Sequence, residues 1–282
     1  MTTGIALSGG GLKCIAHIGA LKALEELNVK FDYISGTSSG AIIATLYAMG
    51  YTIDEMKEGM KEYYHIFTKL DKKPIVKAGT TFMMYGEARI GGLADGRKVE
   101  DFMQNMAKLK GHKNMDDIDK NLAVVTVDTI STKECIFLSN EIIKKQENID
   151  YLYNAPIGKA VRASCAFPGI FTTCDYEKYN FVDGGTKDNL PVQVLKDMGA
   201  DRTISLSFKF DDYTPKNNLL AIILRVCDIF SQKDVEKAKA LADIAVEIDA
   251  QGTGLLDVDD CEKCYKSGYD AVMRNNLLQN NL

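Results

Sequence analysis

The sequence predicts an α/β fold in which layers of helices flank a largely parallel central sheet. Apolar runs of strand length alternate along the chain with longer segments of helical periodicity, the pattern of consecutive β–α units. Two stretches, 69–96 and 209–218, read as irregular. Strands are expected near residues 4–8, 31–35, 122–129, 134–138, 180–182, 203–208 and 245–249. Helices are expected near 15–27, 39–49, 53–63, 97–109, 156–163, 187–198, 217–230, 233–243 and 259–278.

Length and charge narrow the class of protein. The 282 residues suffice for one large domain with a buried core. A net charge of -5 argues against nucleic acid as a partner. The first residues contain no basic segment followed by an apolar run, so no signal peptide is expected. The chain also lacks a run of about 18 apolar residues, which predicts no transmembrane segment.

The cysteines indicate a reducing compartment. They number seven, an odd count, and most lie in apolar segments, so we expect reduced thiols and a cytoplasmic location. Cys261 and Cys264 have the spacing of a metal-binding pair, but a zinc site would need a second pair or a nearby histidine. On a helix these two residues share one face, so packing is favoured and no metal site is expected.

The most informative motif is a possible nucleophile turn. Residues 36–40 read Gly-Thr-Ser-Ser-Gly, between a strand-like run at 31–35 and a helix-like run at 41–49. A serine on such a strand-to-helix turn projects away from the backbone, and the glycines allow neighbouring segments to approach closely. The helix N-terminus also favours developing negative charge. Ser38 is therefore the candidate nucleophile; the alternative is a turn without chemistry.

The histidines argue against a Ser-His-Asp triad. The chain has three, His17, His65 and His112, and the α/β-hydrolase order requires a histidine after the acid. His65 and His112 lie in polar stretches typical of the surface. His17 lies in the first predicted helix and is interpreted as a packed or capping residue. The base is therefore sought among carboxylates.

Asp183 is the best candidate base. It ends a short apolar run and is followed by two glycines, which permit a sharp turn lining a site. An ordinary Asp-Gly turn is the alternative. A second Asp-Gly pair, Asp95 and Gly96, precedes a predicted helix, where the aspartate is expected to cap the helix N-terminus.

A glycine loop follows the first predicted strand. Gly9, Gly10 and Gly11 precede the first helix, so their N–H groups can converge on an anion, either a nucleotide phosphate or the oxyanion of acyl transfer. The phosphate alternative is weak because Cys14 stands where a dinucleotide fingerprint has its third glycine, and no P-loop motif is present.

These three motifs, in this order, resemble the patatin-like phospholipases, lipid acyl hydrolases with a Ser–Asp dyad. Three further stretches also match the sequence pattern of that family: 17–21, 92–96 and 162–171. The resemblance covers roughly residues 4–210. Residues 211–282 are expected to complete a single patatin-like domain. One departure stands out: the family's glycine loop usually ends in glycine, and here the residue is Cys14.

The resemblance implies a role for each matching residue. Ser38 would be the nucleophile, and Asp183 would accept its proton and later activate water. The N–H groups of Gly10 and Gly11 would stabilise the oxyanion, with Gly9 shaping the turn. Lys13 would bind a phosphate headgroup or steady the loop; a solvated lysine is the alternative. The dyad requires no metal and no other cofactor.

The expected function is that of a serine lipid acyl hydrolase acting on phospholipids or related lipids. Its partners would be a lipid or acyl-ester substrate and, transiently, a membrane surface. Two alternatives remain open: a general carboxylester or thioester hydrolase on the same dyad, and a non-catalytic binding protein, suggested by Cys14. Residues 82–85, Phe-Met-Met-Tyr, are the candidate lid or lipid-entry surface, with core packing as their alternative.

Overall fold

The computed structural model of the chain describes residues 1–68, 92–210, 219–250 and 261–280. The strands in these ranges are β1 Thr3–Leu7, β2 Tyr33–Thr37, β3 Gly92–Ala94, β4 Asn121–Asp128, β5 Glu134–Leu138, β6 Ile149–Leu152, β7 Gly169–Phe171, β8 Cys174–Tyr176, β9 Tyr179–Asp183, β10 Arg202–Phe208 and β11 Ile244–Ile248.

The α-helices in the same ranges are α1 Ile15–Glu26, α2 Ser39–Ala48, α3 Ile53–Thr68, α4 Arg97–Leu109, α5 Ile157–Ser164, α6 Val192–Asp197, α7 Leu219–Leu241, α8 Cys261–Met273 and α9 Asn276–Asn280. Short 3-10 turns lie at Gly11–Cys14, Met115–Asp117 and Gly184–Thr186. None of the helices in the described parts of the chain is long and apolar enough to cross a membrane.

The main sheet is largely parallel, as predicted. Its strands follow the order β11-β10-β1-β2-β4-β5-β6, and every pair from β11 to β4 is parallel. β5 and β9 run antiparallel to β4, and β8 pairs with β9. The carboxyl ends of β1, β2 and β10 therefore meet at one edge of the sheet, where the loops of such folds collect functional residues.

Alternating side chains divide the core into two layers. On β1, Ile5 and Leu7 join a large cluster with α1, α2 and α3, while Ala6 faces the opposite side. There it packs against Leu195 of α6 and Val235 of α7. Because successive strand residues point to opposite faces, this pattern covers both faces of the sheet with helices. The layered α/β/α prediction is confirmed.

The helix α8 packs directly on α1. A Cβ atom at Gly19 would lie 1.9 Å from the carbonyl oxygen of Tyr265, and one at Gly268 would lie 1.8 Å from that of Ala16. The two helices therefore touch through their backbones, and only glycine permits this at both positions. Within the described part of the chain, no cluster of potential metal ligands is found.

Several predicted boundaries differ from the structure. The two helices expected at 217–230 and 233–243 are one helix, α7, because Ser231 and Gln232 between them do not break a helix. The helix expected at 187–198 begins only at Val192, just after Pro191. The segment 259–278 contains two helices, α8 and α9.

The short strands β3, β6, β7 and β8 were not predicted, and β3 falls within the stretch expected to be irregular. The rest of that stretch up to residue 91, including the candidate lid at 82–85, lies outside the described residues. So does 211–218.

Candidate active site

Ser38 lies at a strained turn between β2 and α2. Its φ and ψ are 55° and −126°, a positive φ that a non-glycine residue rarely adopts. The flanking glycines leave no room for side chains: a Cβ at Gly36 would lie 2.6 Å from the oxygen of Gly40, and a Cβ at Gly40 would lie 2.4 Å from that of Leu7. The turn is therefore built by close backbone contacts with α2 and the end of β1.

Ser164, at the end of α5, holds this turn in place. The Ser38 N–H donates to Ser164 Oγ at 2.9 Å, and the Ser164 hydroxyl donates to the carbonyl oxygen of Val125 on β4 at 2.6 Å. Ser164 is fully buried. Ser164 lies within the 162–171 stretch of the resemblance, but its role depends on tertiary contacts that no local pattern indicates.

Strand register brings Asp183 beside Ser38. β5 occupies one edge of β4 over residues 123–127, so β2 and β9 share the other edge. On that edge Thr37 pairs with Val125, and Asp183 pairs with the next residue, Thr126. Ser38 and Asp183 therefore meet at the same point of the sheet, although they are far apart in sequence.

The Asp183 carboxyl group is 1% exposed. Burial raises its pKa to about 7, and hydrogen bonds from the Ser38 hydroxyl and the Gly185 N–H oppose this rise. The Gly185 N–H donates to Oδ1 at 2.8 Å. Oδ2 has no hydrogen bond of regular geometry with a described residue, so the Ser38 contact is a looser one. A carboxyl group with a pKa near neutrality can both accept and return a proton.

The glycine loop borders Ser38 on the other side. The Gly9 N–H donates to the carbonyl oxygen of Asn189 at 3.2 Å, and the Gly10 N–H donates to Ser39 Oγ at 3.1 Å. A Cβ at Gly9 would lie 3.1 Å from the Ser38 Cβ. Gly11 opens the 3-10 turn with a φ of 61°.

His17 supports this loop from the core. It is fully buried, and its Nε2–H donates to the carbonyl oxygen of Ser8 at 2.9 Å. Burial lowers the pKa of the imidazole to about 4, with the hydrogen bond to Ser8 opposing, so the ring is neutral near pH 7. It packs on the Phe208 ring at 4.6 Å between centroids. Of the other two histidines, His112 lies just after the C-terminal end of α4. The side chain of His65 is not among those that the structure describes.

Cys14 fits the loop without glycine's conformational freedom. Its φ and ψ are −57° and −18°, ordinary right-handed helical values. The thiol is buried and interacts with the Ser39 hydroxyl, and burial raises its pKa well above the ordinary range. Nearby, Lys13 is 8% exposed and lines the site cavity, and the Cys264 thiol donates to its carbonyl oxygen at 3.4 Å.

Two further stretches of the resemblance contact each other. The Arg162 guanidinium donates to the carbonyl oxygens of Asp95 and Thr172, through Nη2 at 2.6 and 2.7 Å. It also fills the space beside Gly96, whose φ is 72°. The Asp95 carboxylate accepts the N–H of Arg97, the first residue of α4, at 3.0 Å, but the N-cap position expected for Asp95 is occupied by Gly96.

A cavity of about 250 Å³ contains Ser38, Asp183 and the glycine loop. Its walls are mainly apolar and aromatic, formed by Leu12, Tyr63, Phe167, Ile170, Phe208 and Phe230. The candidate nucleophile, a carboxyl group of near-neutral pKa and an apolar enclosure therefore coincide. This combination suits attack on an acyl group attached to a hydrocarbon chain.

Comparison with known families agrees with this geometry. The sequence model of the patatin-like phospholipases matches residues 5–196. The chain belongs to the patatin-like phospholipase family. The match ends within α6, so it includes the glycine loop, Ser38 and Asp183, while β10, β11 and helices α7 to α9 lie beyond it.

Curated relatives of this patatin-like chain come from distant sources. An uncharacterised protein of Acanthamoeba polyphaga mimivirus is 33% identical over 227 residues, covering 76% of the chain and 69% of that protein. The uncharacterised Bacillus subtilis protein YqhO is 29% identical over 198 residues, covering 66% and 64%. A protein named lysophospholipase nte1 from Aspergillus fumigatus is 27% identical over 214 residues, which are only 12% of its length.

Solved structures share the patatin-like fold. VipD from Legionella pneumophila aligns over 99% of the chain and 67% of its own, with a TM-score of 0.52 and 16% identity. The ExoU–SpcU complex of Pseudomonas aeruginosa aligns over 100% and 52%, also with a TM-score of 0.52 and 16% identity. At this identity the likeness shows the fold alone.

Proposed function

We propose that this patatin-like chain is a serine lipid acyl hydrolase that cleaves fatty-acyl esters of phospholipids or related lipids. The observation that carries the proposal is the buried Asp183 carboxyl, with its pKa raised to about 7, beside the strained Ser38 turn at an apolar cavity. Perturbed pKa values and strained backbone both concentrate at catalytic sites.

In the proposed reaction, Ser38 Oγ attacks the acyl carbonyl carbon while its proton passes to the Asp183 carboxylate. The resulting tetrahedral intermediate collapses, and the departing alkoxide takes the proton from Asp183. Water then loses a proton to Asp183 and attacks the acyl-enzyme. Collapse of the second intermediate returns the proton to Ser38 Oγ and releases the fatty acid.

An oxyanion forms in both halves of this reaction. It would accept hydrogen bonds from the N–H groups of Gly10 and Gly11, with Gly9 shaping the turn. Without substrate, the Gly10 N–H donates to Ser39 Oγ at 3.1 Å, so the oxyanion must replace or share that acceptor. The more negative charge on the oxyanion favours the exchange, since hydrogen bonds to ionised acceptors are stronger.

Lys13 is proposed to contact the phosphate of a phospholipid. It lies within the glycine loop, lines the cavity and is mostly buried, which places this residue near an anionic group that enters beside Ser38. We further propose that residues 1–282 form one catalytic domain, located in the cytoplasm and in transient contact with membranes.

The apolar cavity walls favour a hydrocarbon acyl chain over a small polar ester, which ranks hydrolysis of fatty-acyl substrates above that of general carboxylesters. The non-catalytic alternative rests on Cys14, whose helical backbone does not need glycine.

A fluorophosphonate probe tests the proposal. We expect a covalent adduct on Ser38, located by peptide mass mapping, and release of fatty acid from phosphatidylcholine by the unlabelled protein. Ser38→Ala should abolish both, and Ser205→Ala, a buried serine on β10, should change neither. A folded protein that forms no Ser38 adduct and releases no fatty acid would refute the assignment.

A further inference from the structure

The helix α7 exposes an unusual apolar surface. Among the described residues, ten large hydrophobic side chains are exposed, and four of them lie within nine residues of α7: Ile222, Val226, Ile229 and Phe230. Ile229 and Phe230 are 57% and 73% exposed. Single exposed apolar residues are ordinary, but a contiguous group marks a surface that contacts something.

These four side chains share one side of the helix. At 3.6 residues per turn they lie opposite Val235, which is 3% exposed and packs on the sheet side of α7. The exposed face is therefore not needed for the core. Lys233 continues the same face one turn further on, and no acidic residue in the described ranges forms an ion pair with it.

The exposed face is continuous with the candidate active site. Phe230 belongs to it and also lines the cavity that contains Ser38 and Asp183. The N-terminal half of α7 therefore stands at the carboxyl edge of the sheet, beside the cavity mouth. A lipid leaving a bilayer at this face would enter the cavity beside Phe230.

We propose that the α7 face, defined as Ile222, Val226, Ile229, Phe230 and Lys233, docks on the surface of a zwitterionic phospholipid bilayer. The apolar side chains would enter the headgroup–acyl boundary while the Lys233 ammonium pairs with a lipid phosphate. The chain carries a net charge of -5, and a strongly anionic membrane would repel it. This proposal rests on the lipid hydrolase function proposed above.

Direct insertion can be measured with a tryptophan, because the chain contains none. Ile229→Trp, in a Ser38→Ala background that leaves lipid intact, should show a blue-shifted emission with phosphatidylcholine vesicles and quenching by brominated acyl chains. Leu109→Trp is the matched control, since Leu109 is 77% exposed at the end of α4, at the opposite edge of the sheet. Equal behaviour of the two tryptophans would overturn the proposal.

The contribution of the α7 face to vesicle binding is tested by the double variant Val226→Ser with Ile229→Ser. This pair should lower vesicle partitioning and turnover of vesicle phosphatidylcholine by about tenfold or more, while leaving a short soluble ester unaffected, because neither residue lines the cavity. Leu109→Ser with Ile142→Ser should change none of these. Unchanged partitioning in the α7 pair would overturn docking, even if lipid turnover is confirmed.

Light scattering separates a membrane from a second copy of this chain. A wild-type dimer that dissociates in the α7 pair would assign the face to self-association and reject the bilayer. Loss of hydrolysis with vesicle binding intact would instead count against the proposed function alone.

Discussion

Asp183 and Thr37 occupy consecutive positions along one edge of β4, paired with Thr126 and Val125 respectively. Because Ser38 follows Thr37 directly, the hydrogen-bonded ladder of the sheet sets the separation between the proposed nucleophile and base. Sites built on strands hold their geometry more closely than sites on loops. The proposed dyad therefore depends on the register of β2, β4 and β9.

Asp183→Asn should reduce turnover nearly as much as Ser38→Ala, because residues that act as a unit lose most of their effect when either is removed. In the wild type, kcat/KM should fall as pH decreases through about 7, since a protonated Asp183 cannot accept the Ser38 proton. A pH–rate profile on a soluble ester measures this. His112→Ala should leave the profile unchanged; a profile flat down to pH 5 would contradict the dyad.

The same carboxyl group should make stability depend on pH. Burial raises its pKa from 3.8 to about 7, so ionisation of the folded protein is costly, and stability is lost as pH rises from about 4 to 7. Asp183→Asn lacks this loss. Its Tm relative to wild type should increase over that range, reflecting at most about 4 kcal/mol. A pH-independent difference in Tm between the two proteins would contradict the buried-carboxyl account.

Ser164→Ala should loosen the turn that carries Ser38. The change leaves the partly buried Ser38 N–H without its acceptor, which costs about 1–3 kcal/mol, and displacement of Ser38 should lower kcat by about tenfold to hundredfold. Ser205→Ala is the matched control, because the Ser205 hydroxyl is buried without a hydrogen-bond partner among the described residues. Thermal unfolding and ester kinetics measure both effects. Equal losses in Ser164→Ala and Ser205→Ala would contradict the proposed role of Ser164.

Gly40→Ala should displace α2 from the end of β1. The added Cβ would lie 2.4 and 2.5 Å from the carbonyl oxygens of Leu7 and Ser8, so the helix start must move and carry Ser38 with it. We expect a loss of about 1–3 kcal/mol in unfolding free energy and strongly reduced turnover. The Cβ added by Gly59→Ala on α3 would lie 3.0 Å from the end of the flexible Met106 side chain and 3.9 Å from Phe102, so this change should be tolerated. A fully active Gly40→Ala protein would disprove the packing argument.

The sequence predicted features that depend on local signals. The sequence predicts the strand–turn–helix at Ser38 and the turn after Asp183, because glycine and apolar periodicity act over a few residues. The sequence does not predict the role of Ser164 or the hydrogen bond between Gly10 and Ser39, because the partners in each contact are distant in sequence. The break expected within α7 was wrong because Ser231 and Gln232 do not end a helix. The roles of Lys13 and the glycine loop stay predictions.

The segment 82–85, outside the described residues, carries a prediction from the sequence. If it admits lipid, Phe82→Ser with Met83→Ser should depress turnover of aggregated lipid far more than turnover of a short soluble ester, with little change in Tm. Kinetics on both substrates, together with thermal unfolding, distinguish the outcomes. Equal losses on both substrates with a clear fall in Tm would assign these residues to the core.

Replacing Cys14 tests whether a cysteine limits catalysis at the position where the family usually has the last glycine of its loop. Because its backbone is helical at φ −57°, glycine offers no conformational advantage there, and Cys14→Gly should keep kcat within about threefold of wild type. The loss of a buried thiol and the added chain entropy should lower the unfolding free energy by about 1–3 kcal/mol. Cys14→Ala, as the matched control, separates the two causes by removing the thiol alone. A large gain of turnover in Cys14→Gly but not in Cys14→Ala would show that this position restrains the glycine loop.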